Sequence, residues 1–125
     1  MKVRCVRLID DVGQVLDQSP WLQIGKVYHV LAINVSQGGG TKFVIQSGSK
    51  PEEFPSLSHH TSSCFEVIST SIPSNWRPWV DGAGNIGISP AAWQVPKFAD
   101  DLADCAPWVL ETYFRERDLI IEEDP

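Results

Sequence analysis

Long apolar runs are missing from this 125-residue chain. Nothing approaches the ~18 consecutive apolar residues that a membrane span requires. Arg4 and Arg7 interrupt the N-terminal stretch where a signal peptide needs an unbroken apolar segment, so the expectation is a cytoplasmic protein with no membrane association. Cysteine is scarce. Cys5, Cys64 and Cys105 are odd in number, far apart and outside any CxxC spacing, which excludes a disulfide framework and reads as reduced, mostly buried small hydrophobes. Basic charge is also in short supply, with 10 Lys and Arg against 16 Asp and Glu. A net charge of −6 argues against a nucleic-acid binder that works by neutralising phosphates.

That acidity is uneven. Residues 1–95 are balanced, seven basic against seven acidic, whereas residues 96–125 hold Lys97, Arg115 and Arg117 against nine carboxylates. A negative end of this kind is either a solvated helix with a frayed tail or a surface that steers a basic partner. Five tryptophans, Trp21, Trp76, Trp79, Trp93 and Trp108, are many for the length. Each brings a large apolar area and an N–H needing a partner, so each reads as a core anchor or a contact residue.

Periodicity predicts a mostly β domain. Residues 2–9 alternate as a strand with one buried face, and residues 10–19 read as a loop before Pro20. Residues 27–34 carry apolar side chains on both faces, as a central strand does. Gln37-Gly38-Gly39-Gly40 reads as a hairpin connection, with residues 41–47 as its return strand. Residues 48–63 look like loop, 64–68 like another strand, and 74–80 with 86–88 like a second hairpin. Ser89-Pro90 has the form of a short helix start. Ala106, Val109, Leu110, Tyr113 and Phe114 recur at three and four residues, predicting a helix over 106–120 that packs its stripe on the sheet. The expected fold class is mainly β (α+β), a small bent antiparallel sheet or partly open barrel with a C-terminal helix. One domain over 1–125 is expected, residues 1–70 forming a β core and 71–125 a second hairpin and helix packed on it.

Candidate chemistry fares poorly. Gly82-Ala83-Gly84-Asn85-Ile86-Gly87 matches GxGxxG, but Ser89-Pro90 follows closely and no βαβ unit can be built from the remainder, so a hairpin turn is expected. His59-His60 with Cys64 lacks the further ligands zinc needs. His29 reads as a satisfied sheet residue, and Cys64 has only those two histidines to support it as a nucleophile. Asp100, Asp101 and Asp104 could share a helix face with Asp10 and Asp11 nearby, yet in so acidic a segment a solvated face is expected rather than a general acid–base pair or a Mg²⁺ site. No catalytic residue, metal ligand or cofactor is assigned.

The stretch Pro20-Trp21-Leu22-Gln23-Ile24-Gly25-Lys26-Val27-Tyr28-His29-Val30-Leu31, with Phe65-Glu66-Val67-Ile68 further on, resembles small bacterial and phage-borne SH3-like β-barrel proteins, in which an LxxGKxYxVL turn-and-strand opens the barrel and an FEVI strand closes it. Ile72-Pro73-Ser74-Asn75-Trp76, Ser89-Pro90-Ala91-Ala92-Trp93 and Phe98 are similar to small immunity-type proteins encoded beside polymorphic toxins. The resemblance implies a protein that neutralises a basic toxin. The expected function is therefore a non-enzymatic interaction domain with a protein partner, engaging it through Trp76, Trp79, Trp93, Asp100, Asp101, Asp104 and Glu111. The alternative is a small-molecule or peptide binding module that uses the cleft between the hairpins.

Overall fold

A computed structural model describes residues 1–47 and 55–125. In chain order these form β1 (Lys2–Cys5), β2 (Val27–His29), β3 (Ala32–Val35), β4 (Thr41–Gln46), β5 (Leu57–Thr61), a 3₁₀ turn (Ser62–Cys64), β6 (Phe65–Ser69), β7 (Trp76–Val80), β8 (Ile86–Pro90), a second 3₁₀ turn (Ala91–Trp93), α1 (Phe98–Ala103) and α2 (Pro107–Glu123). Two antiparallel sheets result, one ordered β2-β1-β6 and the other β5-β4-β3-β8-β7. The fold is mainly β, with two antiparallel sheets, no closed barrel and a C-terminal helix.

The apolar run 27–34 was expected to be one strand, and it is two. Val30 donates to Met1 O at 3.1 Å on one sheet, and Leu31 donates to Val44 O at 2.8 Å on the other. The chain therefore crosses between sheets at this point. Both side chains are buried in the shared core with Val3, Cys5, Tyr28, Ile45 and Phe65, which is why hydrophobic residues appear on both faces. Crossing, not central placement, accounts for the pattern.

Two further expectations are corrected. Strand β5 occupies much of the segment read as loop, pairing along the whole of β4 from Lys42↔Thr61 to Gln46↔Leu57; residues 48–54 of that segment lie outside the described residues. Ser89-Pro90 does not begin a helix, because β8 runs through Pro90 and only a single 3₁₀ turn follows. The cysteines are free and mostly buried, as expected, with Cys5 and Cys64 buried and Cys105 exposed.

The second hairpin forms as expected. Asp81 Oδ1 accepts the N–H groups of Ala83 and Asn85, closing the turn, and Gly84 takes φ +86°, which favours glycine. A strand follows, so the GxGxxG string is strand–turn–strand with no helix to hold a pyrophosphate. Its last glycine has a packing role: a Cβ on Gly87 would lie 2.3 Å from Cζ2 of Trp79, whose ring lies against the glycine backbone. Strand β7 ends the larger sheet. The pairs Arg77↔Ser89 and Trp79↔Gly87 face β8, so alternation turns the amides of residues 76, 78 and 80 outward. Trp76 N–H donates to Pro73 O at 3.2 Å, and Pro78 has no N–H.

Helix α2 begins with Pro107 at its first turn, where the missing N–H costs nothing. Val109, Tyr113 and Ile120 are buried. Ile120 enters the main core, and Val109 and Tyr113 join Phe98 and Leu102 in a smaller one. Trp93 lies between two rings there, stacked on Phe98 at 5.8 Å and on Tyr113 at 5.3 Å. The acidic tail is anchored rather than frayed. Glu123 accepts from the Ser74 N–H and hydroxyl at 2.7 and 2.6 Å, Ser69 Oγ donates to Asp124 at 2.5 Å, and the Asp124 carbonyl lies 2.7 Å from His29 Nε2.

Candidate functional site

Three of the expected contact residues turn out to be packing residues. Trp76 is 4% exposed in the main core, Trp93 lies within the ring stack, and Trp79 is half-buried over Gly87. Trp76 is thus withdrawn from solvent, while Trp79 and Trp93 keep part of their surface open. The carboxylates fare differently: Asp100, Asp104 and Glu111 are exposed, and Asp101 is partly so. The tryptophan carried by the same helical segment is Trp108, 49% exposed on the first turn of α2. Its ring meets Phe98 edge-on at 6.5 Å, which fixes one edge while leaving much of the indole in solvent. Glu111 follows three residues later, one turn along the same helix face. Trp108 sits one position away from the Val109–Tyr113 stripe, and that offset in the helical period is the sequence signal for its exposure.

A second concave region lies elsewhere. The loop joining β1 to β2 folds back over β5, making only a single bridge of its own between Ile9 and Val15. Beneath it opens a cleft of roughly 290 Å³ walled by Ile9, Asp10, Leu16 and Trp21 and floored by His59 and His60. Trp21 is 54% exposed at its rim. Asp10 Oδ1 accepts the N–H groups of Val12 and Gln14 at 3.0 and 2.8 Å, which sets the loop's turn and fixes the carboxylate. Asp11 Oδ1 lies 3.3 Å from Lys42 Nζ. Burial beneath the loop, reinforced by Lys42, holds the His59 imidazole below its usual pKa. His60 is lowered in the same way by burial and by His59, with Asp11 opposing. Both rings are therefore neutral near pH 7. His60 Nε2 is 2.8 Å from Ser58 Oγ, and its ring meets Phe65 edge-on. The expected Ser/His loop is instead strand β5, which carries both histidines at the cleft, His59 exposed and His60 half-buried.

Other candidate groups serve the fold. Tyr113 Oη donates to Gln46 Oε1 at 2.6 Å, and burial raises its phenol far above the ordinary range. Burial and the neighbouring Cys64 raise the Cys5 thiol, which disfavours the nucleophilic thiolate. Among the described residues no three His, Cys, Asp or Glu side chains converge as a metal site, and no helix is long and apolar enough to cross a membrane. Comparison with protein-family models, with curated proteins and with solved structures finds no match to this chain.

Proposed function

We propose that this chain is a non-enzymatic interaction protein that holds a basic protein partner against the exposed face of α1 and α2, in the manner of a cytoplasmic immunity protein and its cognate toxin. One observation carries the reading: Trp108 stands 49% exposed on the same helical segment that carries the exposed carboxylates of Asp100, Asp104 and Glu111. A half-pinned indole presents a large, rigid apolar area at little entropic cost, as anchor residues at interfaces do. Surrounding negative charge accelerates encounter with a positive surface and disfavours acidic competitors. The long loop after β1, the meander β3-β4-β5 and the 3₁₀ turn before β6, which pairs with β1, keep the SH3-like similarity within this proposal.

The test is association with the product of the adjacent open reading frame, purified alone and titrated against this protein. Trp108→Ala is expected to weaken binding by about tenfold to a hundredfold, the range of an anchor residue. Glu111→Lys is expected to slow association chiefly at low salt, because surface steering is screened. Absence of binding by that product, or binding indifferent to both substitutions, would overturn the reading.

A further inference from the structure

We infer that the cleft between the β1–β2 loop and β5 is a second binding site, one that takes an arginine side chain of an extended polypeptide laid along the loop. Its shape argues for a chain. The depression is flanked by a second hollow at Lys42 and Thr61, which shares Asp10 and Asp11 with it, and by a third at Lys26 and Tyr28, which shares Pro20 and Trp21 with it. An extended chain whose central side chain enters the cleft would set its neighbouring residues against these two hollows. The central cleft, at roughly 290 Å³, lies at the lower edge of the ~300–1,000 Å³ typical of small-ligand pockets, which suits one large side chain.

Its chemistry argues for a guanidinium. Trp21 offers an exposed indole at the rim, and planar cations stack on such faces. The carboxylate of Asp10 is held in place through one oxygen, and its other oxygen makes no hydrogen bond among the described residues. Asp11 balances Lys42, so the described side chains around the cleft carry a net negative charge while His59 and His60 remain neutral. Leu16 and Ile9 supply an apolar wall for the aliphatic stem. A guanidinium fits this set better than an ammonium, because it stacks flat on the indole while its N–H groups reach the open carboxylate oxygen. The site is separate from the α1–α2 surface and stands whether or not that surface binds a basic protein.

The experiment titrates the full chain by fluorescence anisotropy with a labelled, capped heptapeptide bearing one central arginine between leucines. Its leucine-for-arginine counterpart and unlabelled N-acetyl-arginine amide serve as comparators. The arginine peptide is expected to bind about tenfold or more tighter than either, a difference of about 1.4 kcal/mol. Trp21→Ala should abolish that preference, and Trp108→Ala should leave it intact. Lowering the pH through the depressed pKa values of His59 and His60 should weaken binding, because each proton gained there adds positive charge beside the bound cation. Equal binding of the leucine peptide overturns the inference, as does an affinity for arginine amide matching that of the peptide, or a preference that survives Trp21→Ala. No detectable binding of the arginine peptide overturns it as well.

Discussion

Among the described glycines, Gly87 has the least room for a side chain, because the Trp79 ring lies against it. The indole occupies the space where any side chain at position 87 would begin, so the glycine is required by packing and not by its backbone angles. Gly87→Ala must displace a half-buried ring from between two strands, an overpacking change that costs about 1–3 kcal/mol. In a Trp79→Ala background the same substitution should cost less than about 0.5 kcal/mol, since no ring remains to be moved. Chemical denaturation of the four proteins of this cycle checks the coupling. Additive losses would mean that the ring does not lie on the glycine. The sequence showed a GxGxxG string that could not be a nucleotide site, yet it could not show that one of its glycines made room for a tryptophan eight residues earlier. Such a cross-strand neighbour depends on register. The fate of the other tryptophans was partly legible: Trp108 falls off the apolar stripe of its helix, and Trp21 follows Pro20 in a polar loop. Trp93, by contrast, gave no sign that Phe98 and Tyr113 would close on it from both sides.

Helix α2 was the most legible element, since its 3.6-residue period and Pro107 placed its start closely. Its end was not. The period fades after Phe114, and the continuation to Glu123 rests on contacts distant in sequence, Ile120 in the main core and the terminal carboxylates on Ser74 and Ser69. Strand β5 failed for the same reason, because Ser58, His59 and His60 have little intrinsic preference for strand and are held there by pairing with β4. The carboxylate contacts at the helix end make a prediction about acid. The Ser74 hydrogen bonds hold Glu123 below its ordinary pKa, and the Ser69 hydroxyl does the same for Asp124. A depressed carboxyl pKa contributes stability that is complete above its unfolded value, near 4, and is lost as pH falls through the lower folded value. Thermal melts between pH 6 and pH 2.5 should therefore show a decline below about pH 4, and Glu123→Gln with Asp124→Asn should flatten it. An unchanged slope would mean the contacts do not persist in solution.

For the whole molecule, the division into a neutral β body and an acidic helical end was legible because charge can be counted along a chain. The cleft was not legible in the same way, as it needs the β1–β2 loop to lie across a strand distant in sequence, and sequence alone set Asp10 and Asp11 beside Asp100, Asp101 and Asp104 rather than beside the paired histidines. The outer border of the larger sheet has a consequence for how copies of this protein behave when crowded. A strand can recruit another chain only if it offers a regular row of donors. On β7 that row is broken, its first donor already engaged and its middle one replaced by an imino acid, leaving the amide of Val80 at the end. Proline here acts as a stop against edge-to-edge polymerisation. Pro78→Thr, which restores the middle donor without disturbing the inward pairs, should give a protein that folds normally yet forms thioflavin-positive, elongated assemblies at concentrations where the parent remains dispersed. If both proteins sediment alike, growth is being prevented at some other place on the surface.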